Sequence, residues 1–294
     1  MGIIEKLQKI VDEAPGKFGV AIKHVEKGEG LHINSEAKFE LASVVKIPIL
    51  VALYKEVAAG NIRIDERVQF EHHDMVPGSG VIKDLDLGLA MTIKDLATLM
   101  IIISDNTATD KLLSILGKEK VNEHMLALGF ENLCVHETIW ELLALRVAVD
   151  PEPFSQQKFD EITELLTIGV DESLVPSEDF ASNNIARAQD LNLLLEKIVL
   201  SDGMEEETSK QILEILSRQQ STRRLPNKLP RGTKTANKTG TIAGSINDSG
   251  IIYLPDNKGT VLISVLSCGN PTVEAGEEVI STLASAVYDY FVEK

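Results

Sequence analysis

With 294 residues, 44% of them hydrophobic and 25% charged, the chain has material for one large or two modest globular domains and too much apolar content for disorder. Its 45 Asp and Glu against 29 Lys and Arg leave a formal net charge of -16. That charge repels phosphate backbones and anionic head groups, so neither nucleic acid nor a membrane surface is an expected partner.

In chain order, the first segment reads as an amphipathic helix with Ile3, Leu7, Ile10 and Val11 on one face. It carries no apolar leader pattern, and a cytoplasmic location is expected. Phe18–Val25 and Leu31–Asn34 follow as two strands around the turn Glu26–Gly30. From about Ser43 to Leu216 the apolar spacing is helical, over Ile47–Val57, Ile93–Ile103, Asn106–Leu116, Val121–Leu128, Ala188–Leu200 and Ser209–Leu216. The longest apolar runs, Ile47–Tyr54 and Leu99–Ile103, fall short of the roughly 18 residues of a membrane span. Between Asp150 and Asp179 lie Asp150, Glu152, Asp160, Glu161, Glu164, Asp171, Glu172, Glu178 and Asp179 against the single base Lys158, read as a solvated helical excursion around Phe159–Leu166. Gly250–Leu254 and Thr260–Leu266 flank the turn Pro255–Gly259 as a second hairpin, and a helical pattern over Val279–Val292 closes the chain. Strands at both ends and an all-helical middle predict an α/β unit from residues 1–42 and 217–294. A helical unit, 43–216, is inserted into it and carries the acidic insertion at about 150–180. Cys134 and Cys268 are expected to be reduced core residues.

Three short patterns carry chemistry: Ser43-Val44-Val45-Lys46, Ser104-Asp105-Asn106 and Lys238-Thr239-Gly240. The first is expected by chance about 0.7 times in such a chain, and each of the others roughly 0.04 times, so the ordered set means more than any member. A serine at a helix start has unpaired N–H groups and the positive dipole end beside its Oγ. Lys46 shares its face, and beside a second cation such as Lys238 it would give up its proton readily enough to act as a base. Alone, the pattern also fits an N-cap followed by a snorkelling lysine.

In these motifs, and in Gly78-Ser79-Gly80-Val81, Met91–Leu96, Asn106–Thr109 and Leu229–Gly232, the sequence resembles the class A β-lactamases and related penicillin-binding serine hydrolases. The resemblance implies an antiparallel sheet flanked by helices, with the active site between sheet and helical unit. It implies that Ser43 is the nucleophile, that Lys46 takes its proton, and that Ser104 relays one to the leaving nitrogen. Asn106 would bond the substrate amide and Lys46, and Asp105 would point inward to hold its turn. Lys238, Thr239 and Thr241 would hold a substrate carboxylate while Gly240 leaves room for substrate. The N–H groups of Ser43 and Thr241 would form the oxyanion hole.

The deacylating glutamate of this family stands in a Glu-x-x-Leu-Asn context, which the chain lacks. Trp140-Glu141 resembles the family's Trp-Glu pair, which makes Glu141 the candidate base and Glu137 its rival; both also fit the polar face of a helix. His72-His73-Asp74 lacks further metal ligands, and Gly78-Ser79-Gly80 lacks the rest of a dinucleotide fingerprint, so neither a metal nor another cofactor is expected. The expected function is hydrolysis of a β-lactam, or of a similar small carboxylate-bearing amide or ester, through an acyl-enzyme on Ser43. The alternatives are a D,D-peptidase-like or esterase-like hydrolase, or a penicillin-binding sensor that stays acylated.

Overall fold

In the computed structural model, which describes residues 2–168 and 184–294, helix α1 (Ile3–Asp12) leads into β1 (Lys17–His24), β2 (Glu29–Ile33) and β3 (Lys38–Glu40). A 3₁₀ turn over Ala42–Val45 runs directly into α2 (Lys46–Ala58), and β4 (Arg67–Gln69) pairs with β5 (Ala90–Thr92). Then come α3 (Ile93–Ile102), α4 (Asn106–Leu116), α5 (Lys118–Ala127), α6 (Ile139–Arg146) and α7 (Gln156–Ile168). The chain returns through β6 (Ile185–Arg187), α8 (Ala188–Leu200) and α9 (Glu206–Leu216) to β7 (Thr235–Ile242), β8 (Ser245–Tyr253), β9 (Thr260–Cys268) and α10 (Val273–Glu293).

The main sheet is antiparallel, in the order β2-β1-β9-β8-β7, so the two chain ends meet at the β1–β9 ladder and β7 is an edge strand. Period-two alternation divides its side chains between two cores. Phe18, Val20, Ile22, Val261, Ile263 and Val265 pack with Leu7 and Val11 of α1 and the inner face of α10. Ala21, Leu262 and Leu266 point the other way, into the core of α2, α3, α4 and α8. That second core is continuous from sheet to helices. At its centre is α2, whose residues Ile47 and Ile49–Leu53 have no exposed surface, which explains why its sequence is apolar all round rather than striped.

The middle of the chain is not purely helical: β3 pairs with β6, and β4 with β5, over three residues each. Strands this short have no room for a readable alternation. β8 begins at Ser245, earlier than its apolar run, because Asn247, Asp248 and Ser249 are buried with polar partners instead of hydrophobic ones. Both cysteines are half-buried thiols, where core positions were expected. Where it is described, the acidic segment is the expected helix with a solvated outer side, but its inner side is anchored. Ile162 of α7 is 0% exposed, and the approach to α7 is fixed by Trp140, whose Nε1 donates to Pro151 O at 2.9 Å and whose ring lies 5.0 Å from that of Phe154. Asp171, Glu172, Glu178 and Asp179 lie outside the described residues. Among the described residues, no helix is long and apolar enough to cross a membrane.

Candidate active site

The turn bearing Ser43 is held from two sides. Leu41 N donates to Asn184 O at 2.8 Å, and Asn247 Nδ2 of β8 donates to Glu40 O at 2.7 Å and Leu41 O at 3.2 Å. Ala42 is forced into the left-handed region, with φ 46°. Ser43 is half-buried in the 3₁₀ turn, one step before α2 rather than at its first residue. Lys46 opens α2 with a side chain that is 0% exposed. Its Nζ donates to Ser104 O at 2.7 Å, Ser104 Oγ at 3.1 Å and Asn106 Oδ1 at 2.8 Å, and not to Ser43 Oγ.

Ser104 lies between α3 and α4 with φ 60°. Asp105 is fully buried and caps α4 by accepting from Ala108 N at 2.9 Å, while its other oxygen accepts from Val81 N at 2.7 Å and Ile82 N at 3.1 Å. A Cβ on Gly80, whose φ is 108°, would stand 2.3 Å from Asp105 Cγ, so this loop closes only over glycine. Asn106 has both ends of its amide engaged, since Nδ2 donates to Pro77 O at 2.8 Å while Oδ1 receives Lys46. Ser79 completes the loop by donating from Oγ to Ser104 O at 2.7 Å.

Strand β7 brings in the third motif. Lys238, also 0% exposed, donates from Nζ to Ser104 Oγ at 3.1 Å and Thr239 O at 2.7 Å. Ser104 Oγ therefore lies between two ammonium groups. A Cβ on Gly240 would lie 2.6 Å from Leu41 O and 3.1 Å from Ser43 N, so the missing side chain makes room for the turn that carries Ser43. The same approach puts the backbone next to Thr241 against the N–H of Ser43. Arg224, a buried residue with no motif around it, steadies this strand: Nη1 donates to Gly240 O and Asn247 O, each at 2.7 Å, and Nη2 donates to Thr241 Oγ1.

Burial pushes Lys46 down to about 7, against the negative charges of Asp105 and Asp110, which favour its ammonium form. Lys238 is held well below the ordinary lysine range by burial and then by the charge of Lys46. Lys46 is thus able to lose its proton near neutral pH.

Neither candidate glutamate reaches this group. Glu141 is the third residue of α6 and serves the cap of its own helix, accepting Thr138 N at 2.7 Å, and it also accepts Lys118 Nζ at 2.8 Å. Burial would raise its carboxyl, but Lys118 and Thr138 outweigh that and hold it below the usual range, the wrong direction for a base. Glu137 is 7% exposed and lies near the buried Glu40–Arg146 ion pair, and burial followed by the charge of Glu40 pushes it up to about 7. What α6 turns toward Ser43 is Ile139, Leu142 and Leu143, with Leu142 packed against Ala42 and Ile242. Asp110 fixes that rotation by accepting the N–H groups of Ile139 and Trp140, each at 2.7 Å.

The resulting cavity, about 330 Å³, is lined on one side by Ser43, Ser79, Ser104, Asn106, Thr239 and Thr241. On the other it is lined by the three α6 residues, Leu166 of α7, Ile242 and Ala243. A larger groove of about 870 Å³, between Pro230–Lys234 and the β8–β9 turn, contains none of the motif residues. Among the described residues no group of three or more His, Cys, Asp or Glu side chains could hold a metal ion. His72, His73 and Asp74 form a short 3₁₀ turn, where Asp74 pairs with Lys111 at 2.8 Å.

Residues 2–291 match the beta-lactamase enzyme family. Beta-lactamase VEB-1 of Pseudomonas aeruginosa is 23% identical over 301 residues, covering 98% of this chain and 90% of that protein. The crystal structure of a beta-lactamase from Sphaerobacter thermophilus superposes with a TM-score of 0.80 at 28% identity, covering 98% of this chain and 96% of the other. An ancestral class A beta-lactamase, that of the last common ancestor of Gram-negative bacteria, gives 0.81 at 20% identity, covering 98% and 100%.

Proposed function

The chain belongs to the beta-lactamase enzyme family, and on that premise we propose that Ser43 is its nucleophile and that release of the acyl group, not its capture, limits turnover. It is a serine hydrolase acting on β-lactams; how these residues divide the work is our reading. Neutral Lys46 takes the Ser43 proton as Oγ attacks the lactam carbonyl. Ser104, between Lys46 and Lys238, passes a proton to the departing nitrogen. Lys238, Thr239 and Thr241 attract the substrate carboxylate, and the N–H groups of Ser43 and Thr241 receive the oxyanion.

The observation that carries the second half is the face of α6. A hydrolytic water needs two to four polar partners and a base. Ile139, Leu142 and Leu143 supply neither, and Glu141 is engaged in its own helix cap. Protection from a penicillin would then come from trapping it as much as from turnover.

Intact-protein mass followed over time after mixing with penicillin G tests this. The expected result is one adduct on Ser43 that decays slowly, and no adduct on Ser43→Ala, which should still fold because the half-buried Ser43 hydroxyl caps no helix. Rapid hydrolysis with no detectable adduct would overturn the slow second step. Adduct formation by Ser43→Ala would overturn the nucleophile.

A further inference from the structure

Glu40 and Arg146 form an ion pair that belongs to none of the motifs. Both are buried, 4% and 3% exposed, and Arg146 Nη2 donates to Glu40 Oε1. Arg146 is the last residue of α6 and lies seven, four and three positions after Ile139, Leu142 and Leu143, so it continues the helix face that forms the apolar wall of the cavity. Glu40 is the last residue of β3, three positions before Ser43, and its carbonyl is already fixed by Asn247. Two residues on, Ala42 takes its left-handed φ of 46°. The pair thus joins the end of the wall to the root of the nucleophile's turn.

This is a costly way to join a helix to a strand. Burial pushes the Glu40 carboxyl up, with Arg146 opposing it. Arg146 Nη1 and the nearby Glu137 Oε2 are buried without a hydrogen-bond partner among the described residues. Apolar side chains of similar volume would hold the two elements together as well or better. What they would not supply is direction. A guanidinium fork fixes where a carboxylate stands, and with it the backbone that carries the carboxylate. We propose that Arg146 is a positioning residue for acylation, which through Glu40 sets the angle at which the turn presents Ser43 Oγ to the substrate carbonyl. The proposal rests on Ser43 being the nucleophile. A turn entered through a strained Ala42 keeps its aim while the strand before it is held, and at Glu40 that strand is held by both carbonyl and carboxylate. A misplacement of about 1 Å at the reacting atoms is enough to cost about 10²-fold in rate.

The test separates aim from stability. Glu40→Leu combined with Arg146→Met replaces the pair by apolar side chains and leaves neither charge buried alone. The double variant should melt at or above the native temperature. Its limiting rate of Ser43 acylation by penicillin G, read by intact-protein mass, should fall about 10- to 100-fold while the half-saturating concentration moves by less than about twofold. Arg146→Lys, which keeps the charge and loses the fork, should lie between the two. Ile280→Ala, in the core on the other side of the sheet, should lower the melting temperature and leave the limiting rate per folded molecule unchanged. A native limiting rate in the folded double variant would overturn the proposal, as would a loss confined to the half-saturating concentration or one that Ile280→Ala reproduces. If the double variant does not fold, Arg146→Lys decides, and a native rate there overturns the proposal. If penicillin G leaves no adduct on Ser43 of the native protein, the reading of the substrate fails separately, and a fluorophosphonate makes the same comparison. Slower labelling of Ser43 in the double variant then supports the positioning role, equal labelling overturns it, and no labelling of Ser43 overturns it together with the nucleophile.

Discussion

On one side of Ser43, two lysines with no exposed surface are held by Ser104, Asn106 and Thr239; on the other, a helix presents Ile139, Leu142 and Leu143. The difference between the walls follows from what each must bury. A buried cation costs several kcal/mol unless its donors are satisfied, so the lysine wall is cross-tied, down to Asn247, Arg224 and Asp105 behind it. An apolar wall has only to be filled and kept dry. In the proposed mechanism one side governs whether an acyl bond forms, and the other how long it lasts.

The strongest way to break the comparison is at Lys46. Lys46→Ala should lower the acylation rate by about 10² to 10⁴, measured as adduct formation with penicillin G. In the native protein that rate should rise with pH through about 7, because Lys46 accepts the serine proton only once its ammonium, lowered to about 7 by burial, has lost its own. A rate that is flat between pH 6 and 8 would take Lys46 out of the base's role.

The comparison is sharpened from the other side by Ile139→Glu, which places a carboxylate on the dry wall. Deacylation should speed up by about 10-fold or more while acylation changes little, read as faster decay of the adduct. An unchanged decay would mean that the wall does not control water. Lys238→Ala should act on one substrate class. Losing a charged hydrogen bond of about 1.5 to 3 kcal/mol slows carboxylate-bearing β-lactams by about 10- to 100-fold and neutral esters far less. Equal losses would assign Lys238 to the support of Lys46 alone.

The smallest effect is expected behind the apolar wall. Glu137 faces Glu40, Arg146, Glu141 and Lys118, and its carboxyl is pushed from 4.5 up to about 7 in the fold. The folded state thus keeps a proton that the unfolded chain has lost, and stability falls as pH rises from about 4.5 through 7. Glu137→Gln should remove that slope, raising stability by about 1 to 3 kcal/mol at pH 8 and little at pH 5, as measured by urea denaturation.

The polar wall was largely legible in the sequence, because Ser43, Lys46, Ser104, Asn106, Lys238, Thr239 and Thr241 belong to contiguous motifs whose spacing survives folding. The sheet built from the chain ends was legible for the same local reason. The apolar wall was not. Whether α6 turns Glu141 or Ile139 inward depends on its rotation, and Asp110 sets that from 29 residues away. Arg224, Asn247 and Asn184 act through contacts 16 to 207 residues distant, with no pattern around them to read. Phe159–Leu166 reads as a solvated helical excursion, and only packing shows that its apolar side is covered.

Ala42 and Ser104, which line the cavity with Ser43, lie in a backbone region that L-residues enter at a cost of roughly 1 to 2 kcal/mol each, and neither is glycine. Such conformations last only while the surroundings impose them, and the imposing groups come from α4, β8 and Asn184. The site therefore exists only while sheet and helices stay docked around it, and it is expected to be lost before them: with rising denaturant, adduct formation with penicillin G should fall before the far-UV signal of the helices does.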